Sequence, residues 1–343
     1  MAQAGKGKLN YRCPSCFMRD LDIDMFYDKD KKEYYCIRCQ YTGTEEDVLA
    51  KRALAKKMGF LLDFHYSDFW TDPGKQFVPK AWRGMDVDEL EQAVFDYTKE
   101  TLLALKKEDA FPTMIQVGNE LTNGMLWPYG QVPEYDNLAR FVNAGIKAVR
   151  EVDKDVPIMI HLDNGGNNEL YRTWFDEFMK RGEEFQIIGM SYYPFWHGTL
   201  TDLENNMNDV AKRYGKDIII AEVSMGFTME DFKDYENLSD EQRKGMATKP
   251  ALAEKVEYPM TPEGQSDFMK DLMTRITNVP DGKGKGFFYW EPGWIPVEGS
   301  GWATEESLEY IQDKGPCGNE WANQALFDYD GNALTALDTI RDF

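Results

Sequence analysis

The feature that most constrains the fold is a regular alternation of short apolar runs with longer helical segments from about residue 45 onward. The apolar runs are bounded by turn residues and predict buried β-strands over 60–64, 113–117, 156–162, 186–192, 217–221 and 286–290. Helices are predicted over 45–58, 88–105, 135–152, 168–180, 200–214 and 261–276. This spacing is typical of β/α units that build a parallel sheet covered on both faces. A closed barrel of this kind has eight strands, whereas the sequence supplies six.

Two glutamates, Glu120 and Glu222, each end one of these strands, in the runs 111–120 and 217–222. Barrel enzymes place their chemistry at the carboxyl ends of the strands. Two carboxylates in one cleft are the usual equipment for cleaving a glycosidic bond. The alternative for either residue alone is an ordinary surface ion pair. The pair, taken with its flanking residues, favours catalytic carboxylates.

Composition and charge argue against several classes of function. The 343 residues carry a formal net charge of −21, which disfavours nucleic acid and anionic membrane surfaces because both attract basic faces. No apolar run reaches the roughly 18 residues that a membrane-spanning helix needs. The first ten residues lack the apolar core of a signal peptide, so a cytoplasmic location is expected. A neutral polysaccharide or a small molecule fits this charge better.

Four of the five cysteines form two closely spaced pairs near the N-terminus, Cys13 with Cys16 and Cys36 with Cys39. The 19 residues between the pairs fall within the range of four-cysteine zinc sites. Two disulfides are the alternative, which the lack of an export signal disfavours. The residues between the pairs suit a short hairpin, so the stretch resembles a zinc ribbon. Four thiolates leave no open position on the metal, and the expected zinc is therefore structural.

The composition of the chain changes near residue 45. Residues 1–45 have a net charge of +1 and no tryptophan, whereas residues 46–343 have −22 and all nine tryptophans. We therefore expect a zinc-ribbon-like segment at 1–45 and a larger α/β domain at 46–343. Several tryptophans lie in loop-like stretches, where they serve either core packing or the stacking of sugar rings.

The larger domain carries long motifs that resemble glycoside hydrolase family 53, the endo-β-1,4-galactanases. The motifs are LLDFHYSDFW at 61–70, QVGNE at 116–120, HLDNG at 161–165, GMSYYPFW at 189–196, AEVS at 221–224, YWEP at 289–292 and GNEW at 318–321. The resemblance covers roughly residues 46 to 343. It implies a (β/α)8 barrel that hydrolyses β-1,4-linked galactan with retention of configuration.

The resemblance also assigns roles to the two glutamates. Glu120 is expected to be the general acid/base and Glu222 the nucleophile, which implies carboxyl groups about 5–5.5 Å apart. Glu120 has to be protonated near neutral pH before the first step. Burial or the charge of Glu222 must therefore raise the pKa of Glu120.

Other residues are expected to bind substrate. Asn119 is positioned for the sugar hydroxyl beside the reacting carbon, Trp290 resembles the floor of the central subsite, and Tyr192 is a candidate partner of Glu222. The three histidines, His65, His161 and His197, fall at or just beyond strand ends and are expected to bind sugar hydroxyls or orient Glu222. The remaining substrate-binding candidates are Asp63, Trp196 and Trp294.

Calcium is a further candidate ligand, because some family members hold it in the loop after the seventh strand. The corresponding segment, 225–260, is long and acidic, with Glu230, Asp231, Asp234, Glu236, Asp240 and Glu241. Hard cations prefer clustered oxygens. A solvated acidic loop is the alternative.

The sequence departs from the family at its start. Family members begin with two further β/α units, the second of which carries an arginine that hydrogen-bonds the nucleophile, and neither unit is found here. We expect a TIM-type (β/α) barrel lacking its first two strands, a fusion or truncation of a secreted galactanase. The leading function is hydrolysis of β-1,4-galactan, or of arabinogalactan side chains of pectin, by a monomer. Alternatives are a galactan-binding protein without turnover and a zinc-ribbon adaptor.

Overall fold

The computed structural model describes residues 11–17, 19, 21, 23–43, 45–232, 248–297, 301–312 and 318–343. The N-terminal part contains helix α1 (Pro14–Phe17) and strands β1 (Phe26–Asp28), β2 (Glu33–Tyr35) and β3 (Thr42–Gly43). These three strands form an antiparallel sheet in the order β1-β2-β3. The four cysteines lie beside this sheet in a small core of their own, which also contains Tyr11, Met25 and Tyr34.

The strands of the larger part are β4 (Leu61–Phe64), β5 (Met114–Val117), β6 (Gly124–Met125), β7 (Gly130–Gln131), β8 (Ile158–Leu162), β9 (Ile187–Tyr192), β10 (Asp217–Val223) and β11 (Gly284–Tyr289). Its helices are α2 (Glu45–Ala55), α3 (Val87–Lys107), α4 (Tyr135–Val152), α5 (Asn168–Phe178), α6 (Leu200–Tyr214), α7 (Pro250–Ala253), α8 (Pro262–Thr277), α9 (Glu305–Ile311) and α10 (Thr335–Asp342). The six predicted strands and the six predicted helices are confirmed, with boundaries that differ by a few residues. None of the described helices is long and apolar enough to cross a membrane.

The six long strands form one parallel sheet in the order β11-β10-β9-β8-β5-β4. Since each strand lies beside the next one along the chain, the sheet has the strand order of a TIM-type (β/α) barrel. Within the described part of the chain, β4 and β11 are its outer strands. Both outer strands are only partly buried, and Phe288 of β11 remains 40% exposed.

The helices cover the outer face of the sheet because each presents an apolar stripe to it. On α4 this stripe contains ten buried residues, and α3, α5, α6 and α8 contribute buried residues to the same main core. Helices α3, α5, α6, α8 and α9 begin at side-chain caps. Asp86 and Thr199 both form capping boxes at the starts of α3 and α6, which satisfies backbone N–H groups that have no partner within the helix.

The inner face of the sheet changes from apolar to polar along the strands. A small apolar cluster contains Leu61, Met114, Met159, Ile187, Ile219 and Ala221. Alternate residues of a strand share a face, so Asp63, Gln116 and His161 lie above this cluster, toward the carboxyl ends. These polar residues lie at the carboxyl ends of the strands, where the motifs predict the active site.

Candidate active site

Glu120 is held by a tight turn directly after β5. Gly118 has φ = +80°, and Glu120 itself takes the left-handed conformation with φ = +47°. A Cβ added to Gly118 would lie 2.7 Å from a methyl carbon of Leu121, so the close packing of this turn also requires glycine. The turn places the Glu120 side chain in the barrel interior, where the residue is only 7% exposed. Its Oε1 lies 2.5 Å from the hydroxyl oxygen of Ser191, within hydrogen-bond distance.

Glu222 reaches the same cleft through an irregularity in β10. The register between β10 and β9 shifts between Ile220 and Glu222, which places Glu222 opposite Ser191. A bulge of this kind re-aims a side chain that simple alternation would direct elsewhere. The hydroxyl of Tyr193 donates a 2.7 Å hydrogen bond to Oε2 of Glu222.

The two carboxylates are close enough to act on one bond. One oxygen of Glu120, one oxygen of Glu222 and one ring nitrogen of His161 all lie within 4.8 Å of one another. This closeness fits the short separation of a carboxylate pair that works through a covalent intermediate, and it leaves less room than an inverting pair needs for a water.

Burial and mutual repulsion raise the pKa values of both glutamates. The pKa of Glu120 lies well above its ordinary value because of burial, then the charges of Glu222 and Asp163. Burial raises the pKa of Glu222 to about 7, although the hydrogen bond from Tyr193 opposes this shift. Both carboxyl groups are therefore harder to ionise than exposed glutamates, and the Tyr193 hydrogen bond favours the ionised form of Glu222.

The prediction that Tyr192 hydrogen-bonds Glu222 is wrong. The Tyr192 hydroxyl donates to the carbonyl of Gly198, and its ring stacks on Phe268 of helix α8. Successive side chains alternate between the two faces of a strand, so Ser191 and Tyr193 point inward while Tyr192 points to the helices. The alternation was the signal that could have selected Tyr193 from the sequence.

The three histidines lie around the glutamates, as predicted, but differ in surroundings. His65 lies 3.0 Å from Asp63 through Nε2, and its Nδ1 accepts the Thr71 backbone N–H. Burial opposes protonation of His65, but the charge and hydrogen bond of Asp63 outweigh it and raise the pKa of His65. Burial lowers the pKa of His197 to about 4, and its Nδ1 accepts the backbone N–H of Tyr193. His161 is fully buried beneath the pair.

The predicted tryptophans occupy different parts of the rim. Trp196 is 36% exposed, and its ring contacts those of Trp321 and Tyr193, which places it near Glu222. Trp290 follows β11 and is partly buried against the main core, while the indole N–H of Trp294 donates to Asn319. Sequence reasoning missed Trp321 as a neighbour of Trp196, because the two lie 125 positions apart in the chain.

Asn119 is more enclosed than its predicted role suggests. It is 4% exposed, its Nδ2 donates to the Thr71 carbonyl, and its Oδ1 accepts from Gln116 and contacts His161. A sugar contact by Asn119 stays a prediction. Ser191, which bridges Glu120 and His161, was not singled out from the sequence.

A second candidate site is formed by the cysteines. Cys13 and Cys39 have sulfurs 3.4 Å apart, Cys16 and Cys36 have sulfurs 3.8 Å apart, and all four sulfurs lie within 4.8 Å of one another. None of the four forms a disulfide. In a tetrahedral site with Zn–S bonds of about 2.3 Å, the sulfurs lie roughly 3.8 Å apart. The donor set therefore fits a four-coordinate metal. Of the predicted calcium ligands, only Glu230 and Asp231 lie within the described residues.

Comparison with known proteins decides the family. The model of glycosyl hydrolase family 53 matches residues 26–340. The chain belongs to glycosyl hydrolase family 53. It is therefore a glycoside hydrolase with a TIM-type α/β fold, and family membership agrees with the motifs around Glu120 and Glu222.

Relatives and solved structures support this membership in the family. The endo-beta-1,4-galactanase of Bacillus subtilis (strain 168) is 35% identical over 325 residues, which cover 88% of this chain and 72% of that protein. The arabinogalactan endo-beta-1,4-galactanase of Thermothelomyces thermophilus is 29% identical over 302 residues, which cover 86% of this chain and 80% of that protein. The GH53 catalytic domain of Ignisphaera aggregans has a TM-score of 0.75 at 34% identity and covers 92% of this chain and 81% of that one.

Proposed function

We propose that the protein is a retaining endo-β-1,4-galactanase that acts on galactan or on arabinogalactan side chains of pectin. The observation that carries the proposal is the pair Glu120 and Glu222, which lie at the carboxyl ends of β5 and β10 with carboxylate oxygens within 4.8 Å of each other. The galactanase relatives from Bacillus subtilis and Thermothelomyces thermophilus support the choice of polysaccharide.

In this proposal Glu222 is the nucleophile and Glu120 the general acid/base. Glu222 attacks the anomeric carbon while the proton of Glu120 moves to the departing glycosidic oxygen, which gives a covalent glycosyl-enzyme. Glu120, now ionised, removes a proton from water as that water displaces Glu222. The raised pKa of Glu120 supports its role as acid, and the hydrogen bond that Tyr193 donates to Glu222 supports the ionised nucleophile.

The substrate would lie along the rim above the polar layer. The exposed face of Trp196 offers a flat apolar surface for a sugar ring, and Trp290 and Trp294 are proposed to extend it. His65 and Asp63 form a hydrogen-bonded pair near Glu222, from which they would bind sugar hydroxyls.

We further propose that the barrel lacks its first two strands. The six-stranded sheet with two partly buried outer strands supports this, as does the 81% of the Ignisphaera aggregans domain that the chain covers. Within the described residues, Glu222 forms no salt bridge with lysine or arginine. A galactan-binding protein without turnover is therefore the second candidate function.

We propose structural zinc at the four cysteines, in a ribbon that occupies residues 1–45 beside the barrel domain at 46–343. Support comes from the sulfur separations of 3.4 and 3.8 Å and from the separate core around the cysteines. Thiolates are soft ligands that suit zinc.

The test is product release from linear β-1,4-galactan by the full chain, by Glu222→Gln and by a control, Glu100→Gln, which alters an exposed position on α3. The proposal predicts oligosaccharides from the parent and the control and none from Glu222→Gln. Galactan binding without products from the folded parent would select the binding protein. Undiminished products from Glu222→Gln would refute its role as nucleophile.

A further inference from the structure

A continuous chain of buried hydrogen bonds runs from Glu120 into the protein. Oε1 of Glu120 lies 2.5 Å from the Ser191 hydroxyl, which lies 2.8 Å from Nε2 of His161. Nδ1 of His161 lies 2.8 Å from Oδ1 of Asn119, whose Nδ2 donates to the Thr71 carbonyl over 2.8 Å. Ser191 and His161 are fully buried, so water does not replace a missing partner.

The direction of this chain is fixed at its far end. The Thr71 carbonyl only accepts, so the amide nitrogen of Asn119 faces it and the amide oxygen faces His161. That oxygen also receives the Gln116 amide over 2.9 Å. The Gln116 amide nitrogen also lies 3.1 Å from Nδ1 of His161, but the shorter contact, 2.8 Å to an oxygen that can only accept, places a proton on Nδ1.

Because burial disfavours the charged form of His161, only one of its two ring nitrogens carries a proton, and the other is a hydrogen-bond acceptor. Burial lowers the pKa of His161 to about 3, and nearby His65 and His197 act in the same direction. With the proton on Nδ1, Nε2 is an acceptor, and the Ser191 hydroxyl, 2.8 Å away, is its donor. Ser191 has only one proton. When that proton points to His161, the Ser191 oxygen can only accept from Glu120.

We propose that Ser191 and His161 are positioning residues that bias Glu120 toward its protonated form through this polarised chain. With Glu120 protonated, every donor from Glu120 to Thr71 has an acceptor. With Glu120 ionised, the Ser191 proton turns to the carboxylate and leaves Nε2 of His161 buried without a donor. An unsatisfied buried polar atom is unfavourable, so the chain opposes ionisation of Glu120.

This bias differs from the electrostatic effect of the other charged groups around Glu120. Glu222 on β10, Asp163 after β8 and Asp72 in the loop after β4 all disfavour its ionisation by repulsion. A lone serine would instead favour the ionised form by donating to it. His161 removes that donation because it holds the serine proton.

The consequence for the reaction rests on the proposed function. Glu120 gives its proton to the departing oxygen in the first step, and the Ser191 hydroxyl then rotates toward the carboxylate. In the second step a water oxygen bonds to the anomeric carbon, the bond to Glu222 breaks, and the water proton moves to Glu120. That transfer restores the satisfied chain, so the network strengthens Glu120 as the base of the second step.

The first test reads the tautomer of His161 without any substitution. The chain contains three histidines, so ring ¹⁵N resonances of uniformly labelled full-length protein can be assigned by single His→Gln variants. The proposal predicts a protonated Nδ1 and an unprotonated Nε2 for His161 at neutral pH. A proton on Nε2 would overturn it.

The second test is a double-substitution cycle on the Glu120 pKa, read from glutamate side-chain ¹³C shifts in the Glu222→Gln background and assigned by loss in Glu120→Gln. His161→Phe frees the Ser191 proton and is expected to lower the pKa of Glu120 by about one unit, a tenfold effect. With Ser191→Ala already present, the same substitution is expected to change it by less than about a third of a unit. Equal shifts in both backgrounds, or none in the first, would refute the proposal.

Neither readout needs turnover, so the two proposals can fail separately. The predicted tautomer and cycle in a chain that releases no product would contradict the galactanase function and leave the hydrogen-bond chain supported. If His161→Phe does not fold, the tautomer decides the question alone.

Discussion

Ser191 and Tyr193 stand two positions apart in one short motif, and each contacts a different glutamate. Ser191 lies within hydrogen-bond distance of Glu120, and Tyr193 hydrogen-bonds Glu222. Both side chains lie on the inner face of the barrel. One strand end therefore sets the surroundings of both carboxylates. The two contacts act in opposite senses, since the chain through Ser191 holds a proton on Glu120 while the Tyr193 hydroxyl stabilises the ionised form of Glu222.

Tyr193→Phe is expected to move the acid side of the pH profile. Glu222 must be ionised to attack, so kcat/KM rises with pH through the pKa of Glu222, about 7. Loss of the donated hydrogen bond raises that pKa, and the acid limb should move to higher pH by about one unit. Kinetics from pH 4 to 9 would measure the shift.

Tyr192→Phe is the matched control for this prediction. It removes the same atom one residue away, where the hydroxyl bonds the Gly198 carbonyl and makes no contact with Glu222. Its acid limb should stay at the parental pH. An equal shift in both variants would mean that the hydroxyl of Tyr193 does not stabilise the Glu222 charge.

At the scale of elements, the turn after β5 does two things at once. It ends a buried strand, and it directs Glu120 inward through a left-handed residue. Gly118 and Leu121 lie so close that the turn has no room for a Cβ. The position of the Glu120 side chain thus depends on the close packing of Gly118 against the Leu121 side chain.

Gly118→Ala is expected to destabilise the protein more than Gly215→Ala. Both glycines have positive φ, +80° and +68°, so each substitution costs about 1 kcal/mol in backbone strain. A Cβ at Gly215 meets nothing within 4 Å, whereas at Gly118 it overlaps Leu121. We expect a further cost of about 1–3 kcal/mol from overpacking, together with reduced kcat as Glu120 shifts.

Urea unfolding of both variants, beside galactan hydrolysis, would measure these costs. Gly215 ends α6 and lies in open space, so its variant reports strain alone. Equal unfolding free energies for the two variants would show that the Leu121 contact relaxes without cost.

The helices and strands could be predicted well from the sequence, whereas the directions in which individual side chains point could be predicted less well. Helices α4 and α6 begin and end at the predicted residues, because apolar periodicity in both helices and the Thr199 and Gly215 caps of α6 are local signals. Glu222 was found as a strand end, but the bulge that turns it inward is a relation between β9 and β10. Such a relation is set by pairing, which one strand's sequence does not contain. The Ser191–His161–Asn119 chain joins three strand ends and was invisible for the same reason.

At the scale of the whole molecule, helix α2 connects the two parts. Its Val48 lies in the core around the cysteines, while its Ala50 packs with Leu105 and Ala110 beside the barrel. The larger part has its own extensive core and does not draw on the cysteine-rich core. Loss of a metal should therefore affect the small part first.

If the four cysteines hold the proposed zinc, its removal is expected to unfold the N-terminal part and leave the barrel folded. The purified chain should hold one zinc per molecule, and chelation should make Lys29, Lys31 and Lys32 sensitive to trypsin, because the small core depends on its sulfur cluster. All nine tryptophans lie in residues 46–343, so tryptophan emission reports the barrel alone and should not change. Cys36→Ser should reproduce the chelated state, whereas Ser15→Ala, beside the proposed ligand Cys16, should keep the metal. A red shift of tryptophan emission on chelation would contradict this independence and would mean that α2 transmits ribbon folding to the barrel.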